Sequence, residues 1–393
     1  MSWQESPLGM IADTQLGKML DAKKNEGEYR PYLGNDNVQW DGIDLTEVKE
    51  MRIKDSELSK FALKAGDLLV CEGGDPGRCA IWNSDEEVYY QKALHRVRAH
   101  EDVLDNRFLY YYLVHICSTR EICQYYTGGA TIKHLPKAAL ERVVVRYPDL
   151  EAQRRIAAVL SAYDELIENN RKQIKLLEEA ARRLYKEWFV DLKFPDHEIT
   201  PVIDGLPEGW RRMPLSSLAD YMNGFAFKPT DHFRDGYPII KIKELQEGVM
   251  ADTPRNSGTM VPAKYFVRTG DLIFSWSATL VAKLWPGEPG LLNQHLFKVN
   301  PANGIPKSYL VEAINASIPE LVGFTTGSTM THLQRNKLDR YLLAVPNEPI
   351  LCKFDCICTP VHNAALNLDR QITAAREARD RLLPKLMSGE IEV

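Results

Sequence analysis

Thiolates and imidazoles are the side chains that hold zinc, and Cys352, Cys356, Cys358 and His362 fall in one short stretch of the chain. Cys358 lies on an apolar helical seam, however, and positions on one helix do not converge on a tetrahedral centre without a break, here at Pro360. Small buried cysteines account for the pattern better. A second group, Pro195-Asp196-His-Glu198-Ile-Thr200, has the paired carboxylates of a nuclease centre but a threonine where such a site wants lysine; a linker explains it better. No phosphate-cradling Gly-x-x-x-x-Gly-Lys-Ser/Thr, no His-Glu-x-x-His and no Pro-Pro pair of an amine-positioning methyltransferase segment occurs in the sequence. The chemistry expected of this chain is recognition rather than catalysis.

Side chains that present donors and acceptors from loops near strand ends can read the edge of a base pair. In the first part of the chain these are Gln91, Lys92, Thr131, Lys133 and His134, and in the second part Lys241, Lys243, Gln294, His295, Thr329, Thr331, His332 and Arg335. Arg78 and Trp276 follow two Gly-Asp strand entries and are placed to meet backbone or bases. The competing reading for each is a solvated or structural loop residue. It weighs most on His134 and His332, because matched positions in heads of different specificity should serve the scaffold.

These loops need a frame, and the longest periodic stretch shows what it is. Residues 151–189 contain neither Gly nor Pro, and steps of 4 and 3 from Ile156 reach Leu160, Tyr163, Ile167, Asn170, Ile174, Leu177, Ala181, Leu184 and Trp188. A sustained 3.5-residue period predicts a helix that supercoils against another helix. Adding 198 to each number gives Phe354, Cys358, Val361, Ala365, Leu368, Ile372, Ala375, Arg379, Leu382 and Leu386, a second seam with one charged member. The offset recurs where Gly129-Ala-Thr-Ile-Lys-His134-Leu135 meets Gly327-Ser-Thr-Met-Thr-His332-Leu333, and it drifts to 203 at Tyr90-Gln91-Lys92 against Asn293-Gln294-His295 and to 204 at Gly66-Asp67 against Gly270-Asp271. The chain is a tandem duplication whose copies differ by loop insertions. Asn170 is expected to fix the register of the seam, and Pro360 to kink the second helix or begin its continuous part.

The predicted class is α+β: two related mixed α/β domains joined by two long antiparallel coiled-coil helices. The first domain spans 1–148 and the first long helix 149–191. An extended, proline-bearing linker and the second domain span 192–346, and the second long helix with its tail spans 347–393. Buried strands are expected after Gly66-Asp67 and Gly270-Asp271, at residues 80–82, 95–98 and 142–148, and an amphipathic helix at 106–122.

Length, 393 residues, allows two or three domains. No apolar run is long enough to span a bilayer, the first residues lack a signal-peptide pattern, and seven cysteines without framework spacing suit a reducing compartment. The expected location is the cytoplasm. A net charge of −5 argues against a protein that coats nucleic acid by phosphate neutralisation, but leaves room for local basic surfaces.

At 1.5 Å per residue the first helix is about 58 Å long. A parallel partner would require the chain to travel that distance back, so antiparallel pairing is expected, with one head at each end of a two-helix rod. Two similar heads in inverted orientation suit a ligand with inverted halves, of which duplex DNA is the obvious one. The main rival is a two-headed scaffold that binds proteins or sugars.

Several segments resemble the specificity subunits of type I restriction-modification systems: the tandem plan, the Gly-Ser-Thr-x-x-His-Leu segment, Leu184-Tyr-Lys-Glu-Trp-Phe189, Leu206-Pro-Glu-Gly-Trp210 and Leu382-Leu-Pro-Lys-Leu-Met-Ser-Gly-Glu-Ile391. The resemblance implies that each head is a target-recognition domain reading half of a split site and that the helices are spacers. It further implies two modification subunits that bring S-adenosylmethionine and methylate adenine, and restriction subunits that use ATP and Mg; none of those cofactors would belong to this chain. On this geometry, inserting one heptad into both helices adds about 10.5 Å of rise, which at about 3.4 Å per base pair lengthens the spacer of the bound site by about three pairs. Selection of bound duplexes measures this, and an unchanged spacer would show that the rod does not set it.

Overall fold

The computed structural model describes residues 2–21, 26–129, 133–322 and 337–393. Two compact units emerge, one made of residues 1–165 with 375–393 and the other of residues 166–374. Each unit therefore combines a mixed α+β head with part of both long helices.

In the first unit an antiparallel sheet runs in the order Ala12–Leu16, Leu94–Ala99, Leu68–Cys71, Cys79–Ile81. In the second, Ala219–Asn223, Leu296–Pro301, Leu272–Ser275 and Val281–Leu284 follow the same order and directions. A second sheet in each head is crossed by a parallel pair, Glu28–Leu33 with Tyr89–Tyr90 and Tyr237–Ile240 with Gly290–Leu292. A two-stranded ribbon completes each: Gln4–Pro7 with Val144–Tyr147, and Arg211–Pro214 with Leu342–Val345. The expected strand entries are one device built twice. Gly66 N–H donates to Trp82 O at 2.7 Å and Trp82 N–H to Asp67 O at 2.8 Å, while Gly270, Trp285 and Asp271 make the same two bonds, both at 2.8 Å. The aspartate side chain also accepts from the backbone N–H of Lys64 or Arg268. Each tryptophan is buried, so its hydrophobic area anchors the turn that starts the central strand.

The first long helix runs as α-helix over Leu150–Tyr185 and closes in a π-helical turn, Lys186–Val190. The wider turn brings the adjacent Trp188 and Phe189 both into the core of the second unit, against Phe354 at 5.9 and 4.9 Å. The second long helix is continuous over Glu348–Ser388. Pro360 thus does not begin it: Cys356 and Pro360 lie on its exposed face, where water can replace the donor that proline lacks. Gly389 closes the helix with φ +77°. The predicted seam is buried or half-buried at every position on both helices. The pairing is antiparallel in each unit. In the second, Asn170 Nδ2 donates to Gln371 Oε1 at 3.1 Å and Tyr185 packs on Phe354; in the first, the seam's one charged member, Arg379, meets Asp164 at 2.6 Å and Arg155 reaches Val393 O.

The residues that carry the family resemblance tie helix ends into heads. Tyr185, Trp188 and Phe189 join Trp210 and Phe194 in the second unit's core, and Leu383, Leu386 and Met387 join the first unit's core with Trp3 packed against it. Two further expectations need correction. The helix from Asn106 ends at Ser118 rather than 122, because the Ser118 and Thr119 hydroxyls donate to His115 O and compete with the helical pattern. The linker is not simply extended: it holds a short 3-10 turn, His197–Ile199, and a hairpin of Val202–Ile203 with Leu206–Pro207, and it buries Phe194.

Gly224 passes so close to the opposing chain that a Cβ would lie 2.2 Å from Asn293 O. Gly224→Ala is expected to cost roughly 3 kcal/mol or more, read as lost hydrogen-exchange protection in the strand Leu296–Pro301; unchanged protection would contradict the packing described.

Candidate nucleic-acid interface

The same glycine has a twin, and together they fix one loop in each head. In the first, Gly17 N–H donates to Leu94 O and Lys18 N–H to Tyr90 O, while Gln91 N–H donates to Leu33 O and Lys92 N–H to Lys18 O. In the second, Gly224 and Phe225 donate to Leu296 O and Leu292 O, while Asn293 and Gln294 donate to Ile240 O and Phe225 O. A Cβ at Gly17 would sit 2.3 Å from Gln91 O, which only glycine permits. The side-chain amide oxygens of Gln91 and Asn293 each accept the backbone N–H two residues on, at Ala93 and His295, both at 3.3 Å. Gln91 therefore matches Asn293, not Gln294, at an offset of 202. Lys92 matches Gln294 and Ala93 matches His295. The amides of Gln91 and Asn293 stiffen the turn, a role their type alone does not reveal.

Around this loop the first head gathers most of its expected site residues. Asn35 Nδ2 donates to Gly73 O at 2.7 Å, and Arg78 donates to Asn35 O at 3.0 Å, so Arg78 braces the turn at 72–77. His134 pairs with Thr127 across a short ribbon and lies against Gly73, and Lys133 Nζ is 5.9 Å from the centre of the Tyr126 ring. The hydroxyl of Tyr126 donates to Pro76 O, closing the circle of loops. Lys92 is half-buried and its ammonium makes no hydrogen bond or ion pair among the described residues.

In the second head Trp276 and His295 rings are 5.9 Å apart and Gln294 is exposed, with its Nε2 3.4 Å from His295 Nε2. Lys241 caps the helix Ile242–Glu247 through its backbone, and Lys243 pairs with Asp252 at 2.8 Å. Thr131, Thr329, Thr331, His332 and Arg335 lie outside the described residues. Sequence reasoning missed Asn35, Asn293 and the two glycines. The Gly17 and Gly224 match was visible only as a lone glycine at an offset of 207.

The zinc candidates do not converge. Cys352 and Cys356 are exposed, Cys358 is in the core with its thiol pushed up to about 12 by burial, and His362 Nε2 faces Glu312 at 2.9 Å. Asp196 engages Lys353 at 3.1 Å, and Glu198 stands on the exposed 3-10 turn.

A family model described as the type I restriction modification DNA specificity domain matches residues 1–179. The specificity subunit of the type I restriction enzyme MjaIX from Methanocaldococcus jannaschii is 27% identical across 72% of this chain and 69% of its own length. That of HindI from Haemophilus influenzae is 21% identical across 85% and 88%. The crystal structure of a type I restriction-modification S subunit from M. genitalium shares the fold, with a TM-score of 0.57 and 17% identity over 98% of this chain and 96% of that one. Over most of its length the chain is similar to the specificity subunits of type I restriction enzymes, and its first 179 residues match the DNA specificity domain of those systems. The comparisons give no support to a protein- or sugar-binding scaffold, and no helix among the described residues is long and apolar enough to cross a membrane.

One buried histidine supports the first head's loops alone. His95 is fully buried and its Nε2–H donates to Leu135 O at 2.8 Å, next to His134, whereas Phe297 holds the matching place in the second head. Burial holds its imidazole below the ordinary value, with Lys137 adding to this and Glu72 and Glu141 opposing it. The unfolded chain takes up a proton as pH falls through about 6.5 while folded His95 resists it, so stability is unaffected above that pH and declines below it. Thermal unfolding from pH 7.5 to 5.5 should therefore weaken the first unit less in His95→Gln than in the parent chain; parallel losses would contradict the assignment.

Proposed function

We propose that this chain is the DNA-reading, noncatalytic subunit of a type I restriction-modification complex, and that each head reads one half of a divided duplex site. The observation that carries this is the duplicated loop frame. Two heads hold the same backbone by the same bonds and present different side chains from it, Lys92 and Ala93 in one, Gln294 and His295 in the other. A fixed backbone with variable side chains is what reading two different base sequences requires, since phosphate contacts position a protein and base-edge contacts specify.

In this reading the base- and backbone-facing set comprises Lys92, Lys133, His134, Thr131 and, through its loop, Arg78 in the first head. In the second it comprises Gln294, His295, Trp276, Lys241, Thr329, Thr331, His332 and Arg335. Gln91 serves the loop rather than the base. Lys243 reaches a phosphate by exchanging Asp252 for it. Two modification subunits dock on the chain and bring S-adenosylmethionine and the adenine-directed chemistry. Restriction subunits add ATP- and Mg-dependent cleavage. The acidic balance of the chain, −5 overall, fits a protein whose partners supply much of the phosphate contact.

Exchange of residues 192–346 for the corresponding segment of another family member tests the proposal. Selection of bound duplexes, with modification subunits present, should then show one half of the site changed and the other retained. Changes in both halves would contradict independent heads.

A further inference from the structure

We propose that Lys92 and Gln294 are equivalent base-reading positions in the two heads, Lys92 selecting a guanine and Gln294 an adenine. The inference rests on the DNA-reading function above and deepens it to single residues. Both side chains leave the backbone at the same point of the same loop. The preceding residue is anchored to the parallel strand through Leu33 O or Ile240 O, and the residue's own N–H is bound to Lys18 O or Phe225 O at 2.8 and 2.9 Å. Their backbones are therefore immobilised while their side chains are not consumed.

The neighbours are consumed. Gln91 and Asn293 spend their amide oxygens on the turn, Arg78 donates to Asn35 O, and Lys243 is paired with Asp252. Lys92 keeps a free ammonium among the described residues, and Gln294 is exposed with an amide whose one contact is a weak 3.4 Å approach to His295. Lysine's donors match the O6 and N7 acceptors of guanine in the major groove. Glutamine's paired acceptor and donor match the N6 and N7 of adenine. Exchanging the two residues exchanges donor patterns on a common frame, so each swap should move one base choice and nothing else. His295, against Trp276, has no equivalent beside Lys92, where alanine stands; the adenine-reading amide is thus steadied from the side in the second head alone.

The test uses the full chain assembled with its modification subunits and a pool of random duplexes. The parent complex first defines the two half-sites. Lys92→Gln should change one guanine to adenine in one half and leave the other half intact, and Gln294→Lys should change one adenine to guanine in the opposite half. Lys92→Met, which keeps the apolar stem and removes the donors, should abolish the preference at that same pair, a loss of roughly 5- to 150-fold in discrimination. It serves also if Lys92→Gln proves poorly folded. If the parent complex yields a divided consensus and the variants bind the identical one, the residue assignment is overturned while the function stands. If the parent complex yields no divided consensus, the function itself fails and the assignment with it.

Discussion

A helix of 36 residues with an apolar seam along one side, Leu150–Tyr185, cannot keep that seam in water, and its length puts it beyond what one small head can cover. The second long helix, Glu348–Ser388, carries the matching seam. Their pairing is the constraint on which the remaining structure depends. Each unit receives part of both helices, and each core is completed by the end of a helix that began in the other: Trp188 and Phe189 in the second unit, Leu386 and Met387 in the first. The polar members of the seam are satisfied in place, Asn170 by Gln371 and Arg379 by Asp164. Such pairs cost stability against apolar packing but penalise a slipped register, since a shift would leave the buried Asn170 amide without Gln371 and part Arg379 from Asp164.

The second constraint is duplication. The Gly-Asp-Trp turn and the Gly-Gln/Asn loop recur with bond lengths that agree within a few tenths of an ångström, although most side chains around them differ. Rigid backbone and variable surface are separated by design of the bonding. Glycine at 17 and 224 admits the chain crossing, the amides of Gln91 and Asn293 fix the turn, and the next two residues are left to vary. One difference between heads is buried: Tyr111 with Asp164 in the first, and Glu312 with His362 in the second, both joining the head's helix to a long helix. A polar contact is kept at that joint while its chemistry changes.

The seam, the repeat and the Gly-Asp strand entries were legible because periodicity and offset are linear properties of a sequence. The loop match was not. The first head is one residue longer from the Gly-Asp entry to its tryptophan, 66–82 against 270–285, and one longer again from there to the loop, 82–91 against 285–293, so an offset of 204 becomes 203 and then 202, and a matching glutamine at Gln91 and Gln294 drew the alignment to the wrong pair. Residue type misled in the same way at Arg78, whose guanidinium braces Asn35, and at Cys352 and Cys356, expected to be small buried cysteines but exposed on one unbroken helix where Cys358 alone of the three is buried. Pro360 could not be placed from sequence because its effect depends on whether water reaches the carbonyl that loses its donor.

If each head reads its own half of a divided site, the two heads touch two separate blocks of bases. Base-interference footprinting of a duplex bound by the chain with its modification subunits measures this directly. Two blocks of interfering bases with a silent stretch between them are predicted. A single unbroken block, or interference confined to phosphates with no base position singled out, would contradict it.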